Sequence, residues 1–419
     1  MKNEVGKIMK TSLSEREYVR DLVKTYYEYA VSPVMEARRN AWSEHNALNF
    51  SRPLIYIRAI PFDEFFDNNQ LRCTDKYLRG LEMTFLRKKY QSEVSDDFIE
   101  EPYLTIRAAV KSNVGIWNMP IHMTGKTIPG GAAAYDPVLV NEADIDKLCV
   151  APHEINEIAT NEAYERLFDI VGDILPVYVD RQGVLCSMWN QDIATNLAKL
   201  RGLEQIMWDA YDNPEWFHRL LGFMRDKILR NMDETESAGD FSYLNHQNQA
   251  MPYIRGLERP NGGKADPSKL WGYMAAQEYT TFGPELFDEF MFQYQKPILE
   301  RYAVTAYGCC EDLTQKIDVI KKLKNLRRIA VSPFADLKKC AEQIGGDYVL
   351  SWRPNPSDMV SHGVDENYVR KYIRNGIDIM KANNCIYDIT LKDVETVSGD
   401  GNAIPLWTNI IRDEINKAY

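Results

Sequence analysis

The feature that most constrains the fold is a regular alternation of strand and helix patterns from Ala303 to the end of the chain. Runs rich in β-branched and aromatic residues predict strands at Ala303–Tyr307, Arg328–Ser332, Tyr348–Trp352 and Cys385–Leu391. Apolar residues at helical spacing predict intervening helices at Asp312–Asn325, Ala335–Ile344, after Asp365 and at Ile404–Ile415. Parallel strands cannot be joined by tight turns, so successive units of this kind imply a parallel sheet with right-handed crossovers.

Two architectures satisfy this alternation, an open doubly wound sheet and a closed (β/α)8 barrel. No glycine-rich phosphate-binding turn follows any of these strands, which weakens the nucleotide-binding open sheet. Chemically useful side chains instead come directly after the strands: Cys309, Cys310, Glu311, Ser332, Arg353, Lys392 and Asp393. In a barrel, the carboxyl ends of the strands form the face where sites assemble. We therefore predict an α/β fold, a TIM barrel.

The first half of the chain is more helical. Its patterns predict helices at Ser14–Ala30 and Pro33–His45, strands at Leu54–Arg58, Tyr103–Val110 and Pro176–Val179, and a helical zone at Asp192–Glu236 that is interrupted at Asn213–Pro214. The polar segment Phe241–Lys269 is long for a connector, and loops of this size often bind ligands. We expect residues 1–419 to form a single barrel domain, with residues 1–50 as an N-terminal helical extension.

Charge and cysteine content exclude several classes of protein. The 50 Lys and Arg residues against 61 Asp and Glu residues give a net charge of −11. Without a basic, aromatic-rich run we expect no nucleic-acid partner. No charge-free stretch reaches the ~20 residues of a membrane span, and no secretory signal is expected. Seven cysteines in 419 residues favour reduced thiols and a cytoplasmic location.

The strongest local motif is Tyr307–Glu311, in which Cys309, Cys310 and Glu311 follow a predicted strand. The amino end of a helix stabilises a thiolate. One interpretation is a Zn²⁺ site, with Cys309, Cys310, Glu311 and His246 as candidate ligands. The other is that one cysteine packs as a small apolar residue while Glu311 caps a helix.

The other candidate site residues also have both a functional and a structural interpretation. His246 lies in the polar run Ser242–Asn248 and either binds a ligand or belongs to an exposed loop. Glu278 is a general acid or metal ligand if buried, and a helix-edge charge if exposed. Trp352 and Arg353 either line a ring-shaped ligand or clamp an anion, or Arg353 pairs with a neighbouring acid. Lys392 likewise places a cation at the end of a strand, one predicted strand later in the chain.

Several segments resemble the uroporphyrinogen-decarboxylase-like superfamily. They are Trp271–Glu278, Phe290–Pro297, Tyr307–Glu311, Asn325–Pro333, Ser351–Pro356 and Leu391–Asp393, with Arg38–Trp42 and Arg52–Leu54 in the front half. The resemblance covers most of the chain. It is specific for the branch similar to corrinoid-dependent methyltransferases, including those that demethylate phenyl methyl ethers, and it implies a TIM barrel.

Two departures from the superfamily narrow the expected activity. The arginine-rich porphyrin-binding motif of the decarboxylase proper is missing, which argues against tetrapyrrole decarboxylation. The His-x-Cys zinc motif of the thiol-methylating relatives is replaced by Tyr307-Gly308-Cys309, which argues against alkylation of a coenzyme thiol. The resemblance then implies transfer of a methyl group from a small methylated donor, a phenyl methyl ether or similar, to the cobalt of a corrinoid protein.

The resemblance also assigns expected roles to residues and partners. Glu278, Tyr307 and Glu311 are expected to be catalytic. The residues expected to bind the donor are His246, Trp271, Trp352, Arg353 and Lys392. The corrinoid is carried by a partner protein, and a homodimer is left open. Two alternatives remain: a decarboxylase or lyase of the same superfamily acting on a small acid, and a non-catalytic binding barrel.

Overall fold

The computed structural model describes residues 2–58, 60–111, 117–124 and 134–419. Its helices are α1 Lys2–Ala30, α2 Pro33–Asn46, α3 Phe62–Phe65, α4 Lys76–Glu93, α5 Glu157–Val171, α6 Ile193–Arg201, α7 Leu203–Asp212, α8 Pro214–Ala238, α9 Pro284–Phe287, α10 Gln293–Leu299, α11 Ile317–Ile320, α12 Leu337–Ile344, α13 Pro356–Met359, α14 Glu366–Ala382 and α15 Ala403–Ala418. Its strands are β1 Leu54–Arg58, β2 Leu104–Arg107, β3 His122–Thr124, β4 Ala134–Asp136, β5 Val177–Asp180, β6 Trp271–Met274, β7 Val304–Tyr307, β8 Leu326–Val331, β9 Val349–Trp352 and β10 Ile386–Lys392.

The central feature is a curled parallel sheet. In the described residues, six strands are hydrogen-bonded in the order β1-β10-β9-β8-β7-β6, and every neighbouring pair is parallel. Strands β2 and β5 form a separate two-stranded parallel sheet, and β3 pairs with β4 in an antiparallel one. The parallel α/β architecture is confirmed, whereas the closed eight-stranded barrel is confirmed only as this six-stranded half.

Both faces of the central sheet are buried. Every residue of β6 and of β10 is buried, as expected where helices cover one face and the inside of the curve covers the other. Trp271, Tyr273 and Ala275 pack together on the concave side, while Met274 joins the core under the helices. Alternation along each strand therefore decides which side chains reach the interior of the curve.

Most predicted elements are found within one to four residues of their expected ends. Asp365 caps α14 as predicted, its side chain accepting from the backbone N–H of Tyr368. The predicted helix Asp312–Asn325 is wrong, because only the short α11 forms there. The Asp312 carboxylate accepts from the backbone N–H of Thr314 at 2.8 Å, and such a local turn competes with the start of a helix.

The N-terminal segment is helical as expected, since α1 and α2 occupy it. The arrangement as a single barrel domain with residues 1–50 as an extension stays a prediction. Among the helices that the structure describes, none combines the length and the hydropathy that crossing a bilayer requires.

Candidate active site

The loop after β7 presents two thiols at the carboxyl edge of the central sheet. Gly308 makes the turn possible, since its φ is +99°, a conformation that L side chains rarely adopt. A Cβ atom there would also lie 2.7 Å from the Leu313 side chain. The turn places Cys309 on the concave side, with Tyr273 and Ala306. The Sγ atoms of Cys309 and Cys310 are 3.6 Å apart.

Lys392, the last residue of β10, contacts both sulfurs. Its Nζ atom lies 3.0 Å from Cys309 Sγ and 3.4 Å from Cys310 Sγ. The Cys310 hydrogen bond, together with Arg353 and Lys392, lowers the pKa of Cys309 to about 4 against the opposing effect of burial. The same hydrogen bond and burial raise the pKa of Cys310. Cys309 is therefore a thiolate that accepts from the thiol of Cys310 and the ammonium of Lys392.

The thiols open onto a surface cavity with an empty volume of about 570 Å³. Arg353 forms part of its wall and donates from Nη1 to the carbonyl oxygen of Cys309 at 2.5 Å. Its Nε atom is buried without a hydrogen-bond partner among the described residues. Asp393 completes the rim, 2.8 Å from Lys392 Nζ and 3.4 Å from Cys310 Sγ. A thiolate and two cations, Arg353 and Lys392, thus meet in one cavity.

Three carboxyl groups lie behind the thiolate. Glu311 is buried and accepts from the backbone N–H groups of Ala276 at 2.8 Å and Cys309 at 2.7 Å. Burial and the negative charge of Cys309 raise the pKa of Glu311. Burial, with the charges of Glu311 and Cys309, likewise raises the pKa of Glu278. Burial and the charge of Glu278 raise the pKa of Asp192 well above its usual range.

The three acids differ in how fully their carboxyl oxygens are hydrogen-bonded. The carboxylate of Glu311 is held by backbone donors. Asp192 starts α6, where it accepts from the backbone N–H of Ala194 and the hydroxyl of Thr195. Glu278 is half-buried, and its Oε2 atom has no hydrogen-bond partner among the described residues. Glu278 is therefore the one of the three acids that keeps a carboxyl oxygen without a hydrogen-bond partner among the described residues, although this oxygen is buried and Glu278 is not part of the wall of the thiol cavity.

The structure brings some predicted site residues together. Cys309, Cys310, Arg353 and Lys392 line one cavity. Glu311 contacts the Cys309 backbone, and Glu278 interacts electrostatically with both. These residues follow β6, β7, β9 and β10, as expected for the shared carboxyl edge of parallel strands.

Three predicted aromatic residues lie elsewhere. Trp352 is on the helix side of the sheet, its indole stacked on Tyr372 at a centroid distance of 5.6 Å. Tyr307 is also on that side, where its hydroxyl donates to Gln295 Oε1 at 2.6 Å. Trp271 faces the concave side but is fully buried at the amino end of β6, on the layer below Tyr273. None of the three lines the thiol cavity.

His246 is not part of the thiol cluster. Its Nδ1 atom accepts from the backbone N–H of Trp271, at the amino end of β6, at 3.2 Å. Its Nε2 atom donates to the carbonyl oxygen of Glu258 at 3.1 Å. Burial lowers the pKa of His246 to about 4. The imidazole is thus neutral, and hydrogen bonds at both of its nitrogens connect two segments of the backbone.

The side chains do not fit the zinc site considered from the sequence. Within the described ranges, no group of three or more His, Cys, Asp or Glu side chains is placed to hold a metal ion. His246 is bound at the other end of β6, and the ammonium of Lys392 lies against both sulfurs. Structural and catalytic zinc sites need at least three protein ligands, and these four residues do not supply them.

Sequence reasoning missed two side chains that lie close to the candidate site. From the sequence, Asp192 was interpreted only as the start of a helical zone. Its role as the N-cap of α6 gave no indication that it lies next to the other acids. Gln249 is buried in the loop Phe241–Lys269, where it donates to the hydroxyl of Tyr273 and interacts with Cys309. The polar run beside Gln249 indicated a ligand-binding segment, but we assigned the ligand-binding role to His246.

Comparison with known proteins supports the fold. No protein-family model matches the chain, and no curated protein matches it. Among solved structures, the chain is similar to a methyltransferase from Methanosarcina mazei, with a TM-score of 0.52 and 9% sequence identity over 90% of this chain and 98% of that one. At this identity the likeness concerns the fold alone, which is thus methyltransferase-like.

Proposed function

We propose that this protein is a methyltransferase of the uroporphyrinogen-decarboxylase-like superfamily. It moves a methyl group from a small O-methylated donor, such as a phenyl methyl ether, to the cobalt of a corrinoid protein in the cytoplasm. In a complete barrel, the separate pair of strands β2 and β5 would lie between β1 and β6 and complete eight strands. The fold shared with the Methanosarcina mazei methyltransferase supports this proposal.

The observation that carries the proposal is the position of Glu278. It is a half-buried acid with a raised pKa and a free carboxyl oxygen, and it is coupled to the thiolate at the carboxyl edge of the sheet. An alkoxide or phenolate leaves poorly near neutral pH unless its oxygen is protonated. A carboxyl group whose pKa is raised above its usual range supplies that proton.

The proposed reaction transfers one proton, breaks one bond of the methyl carbon and forms another. The methyl carbon–oxygen bond of the donor breaks, and its electron pair stays on oxygen. Glu278 gives its proton to that oxygen, so the products are an alcohol or phenol and the Glu278 carboxylate, which solvent reprotonates. The methyl carbon bonds to the nucleophilic cobalt of the acceptor, a second substrate that brings its own electron pair.

Cys309 is a positioning residue in this proposal. Its negative charge raises the pKa of both Glu278 and Glu311, which helps to keep the catalytic acid protonated. Lys392 and Arg353 in turn stabilise the thiolate. Because Arg353 and Lys392 form part of the cavity wall, the cavity is suited to an acidic substituent of the donor. No step is assigned to zinc, since the side chains do not provide its ligands.

A second candidate is a decarboxylase or lyase acting on a small acid. The observation that favours it is the pair of cations, Arg353 and Lys392, in the same cavity. For the non-catalytic binding barrel, we expected Glu278 and Glu311 both to be exposed and unpaired. Glu311 is only 2% exposed and accepts two backbone hydrogen bonds, whereas Glu278 is half-buried with an unpartnered Oε2 atom, so only Glu311 speaks against this alternative.

The deciding experiment combines the purified protein, a reduced corrinoid protein and a panel of methyl ethers. We expect the spectrum of methylcobalt to appear together with the demethylated alcohol or phenol. A folded protein that forms no methylcobalt with any donor would contradict the proposal. Release of CO2 from a small acid without the corrinoid protein would favour the second candidate.

A further inference from the structure

A second cavity lies at the amino ends of β2 and β5. These strands start side by side, with the backbone N–H of Leu104 donating to the carbonyl oxygen of Pro176 at 2.9 Å. The empty volume is about 910 Å³. Its wall is rich in tyrosine and proline: Tyr27, Tyr103, Tyr178, Tyr253, Pro102 and Pro260. None of its lining residues belongs to the thiol cavity.

Glu101 is the acid of this tyrosine cavity. The hydroxyl of Tyr253 donates to both of its carboxylate oxygens at 2.8 Å. Burial raises the pKa of Glu101 to about 7 against the lowering effects of the Tyr253 hydrogen bond and the charge of Arg39. Glu101 takes part in none of the ion pairs that the described residues form; its neighbour Glu100 is the one that pairs with Lys88.

The other charges of the cavity are already neutralised. The guanidinium of Arg259 donates to both oxygens of Glu36 at 2.9 Å. Arg39 donates to the carbonyl oxygens of Ala30 and Glu100, each at 2.9 Å, and its Nη1 atom lies 3.8 Å from Glu36 Oε2. Its Nε atom donates to the Tyr253 hydroxyl at 3.3 Å, so its charge reaches Glu101 through that hydroxyl. Glu101 is therefore the charged group of this cavity that forms no direct ion pair with the described residues.

We propose that the tyrosine cavity binds an organic ammonium ion. The ammonium lies at Glu101, and its alkyl groups lie against the rings of Tyr103, Tyr178 and Tyr253. Aromatic rings attract cations through their quadrupole, and methylated ammonium groups are well suited to such walls. A buried carboxylate that forms no ion pair is stabilised strongly by a nearby cation. A hard metal ion prefers six or more oxygen ligands, which this wall of rings and prolines does not offer.

The direct test is calorimetric titration of the full-length protein with choline above pH 7, where Glu101 is ionised. The control ligand is 3,3-dimethylbutan-1-ol, which has the shape of choline without its charge. We expect choline to bind at least about tenfold more tightly than the alcohol. Equal affinities, or no heat of binding with choline, would overturn the proposal. This binding assay does not depend on methyl transfer.

Variants locate the site. Glu101→Gln should weaken choline binding about tenfold or more, and Tyr178→Leu should also weaken it, whereas Tyr178→Phe keeps the ring and should bind normally. Glu154→Gln, an exposed acid that pairs with Lys111, serves as the control. Thermal unfolding of each variant checks that it is folded. If either Glu101→Gln or Tyr178→Leu is folded and retains wild-type affinity, the ligand is not in this cavity.

Discussion

The Nζ atom of Lys392 lies 3.0 Å from the Sγ atom of Cys309, although two strands of the sheet separate β10 from β7. Neighbouring strands are ~4.8 Å apart, so in a flat sheet these two would be roughly 14 Å apart. The contact therefore spans the inside of the curl. It joins the two sides of the half-barrel at its carboxyl edge, where the candidate site lies.

This contact predicts how the thiolate responds to loss of the ammonium. Replacing Lys392 with methionine keeps the length of the side chain and removes its charge. The pKa of Cys309, now about 4, should rise, so the pH midpoint of its alkylation by iodoacetamide should move up by about one pH unit or more. Peptide mass spectrometry across a pH series measures the rate at Cys309 alone. Lys338→Met, an exposed change, is the control, and an unchanged midpoint in Lys392→Met would contradict the ion pair.

The proposed acid gives a second prediction, on methyl transfer. Glu278 has a raised pKa and acts in its protonated form, so the rate should be highest at low pH and fall as the pH rises through that pKa. Glu278→Gln should reduce the rate about 100-fold or more, whereas Glu285→Gln, outside the site, should not. Cys309→Ala removes a negative charge that raises the pKa of Glu278, so the falling limb should shift to lower pH. If the falling limb of the pH–rate profile does not shift in Cys309→Ala, the thiolate does not raise the pKa of Glu278.

The positions of the strands and of the site edge were predictable from the sequence. Short β-rich runs bounded by turn residues predicted β7 to β10, and β1 begins and ends as predicted at Leu54 and Arg58, whereas β6 was not predicted as a strand. Because parallel strands end at one edge, residues that follow them converge. Cys309, Arg353 and Lys392 were identified on that ground, and they line one cavity.

The direction in which each strand residue points was not predictable. A strand buried on both faces reads as a continuous apolar run, so its pattern does not tell the concave side from the helix side. We therefore placed Trp352 and Tyr307 in the site, whereas both point towards the helices. His246 was misplaced for another reason, since its position depends on the tertiary contact of its ring with the backbone of Trp271.

A buried ion pair inside the curl predicts a large loss of stability. The guanidinium of Arg328 lies 2.8 Å from Asp388 Oδ2, and the two side chains are 3% and 0% exposed. Arg328→Met leaves the carboxylate with only the buried His45 and hydroxyl donors such as Ser351. We expect the free energy of unfolding, measured in urea, to fall by about 3–5 kcal/mol. Adding Asp388→Asn should restore part of the loss, and a double variant no more stable than the single one would count against an uncompensated charge.

The packing of Trp352 against α14 gives the last prediction, with a matched pair of glycines. A Cβ atom on Gly376, inside α14, would lie 2.1 Å from the Trp352 ring, whereas a Cβ atom on Gly80, inside α4, would meet nothing within 4 Å. Alanine favours a helix over glycine by up to about 1 kcal/mol. Gly80→Ala should therefore raise the free energy of unfolding slightly, while Gly376→Ala should lower it by about 1–3 kcal/mol because the indole must move. The indole does not line the thiol cavity, so Gly376→Ala should leave the reactivity of Cys309 unchanged while shifting the near-ultraviolet circular dichroism of tryptophan. If Gly376→Ala were as stable as Gly80→Ala, the indole would not lie against α14, and its expected place at the carboxyl edge would be open again.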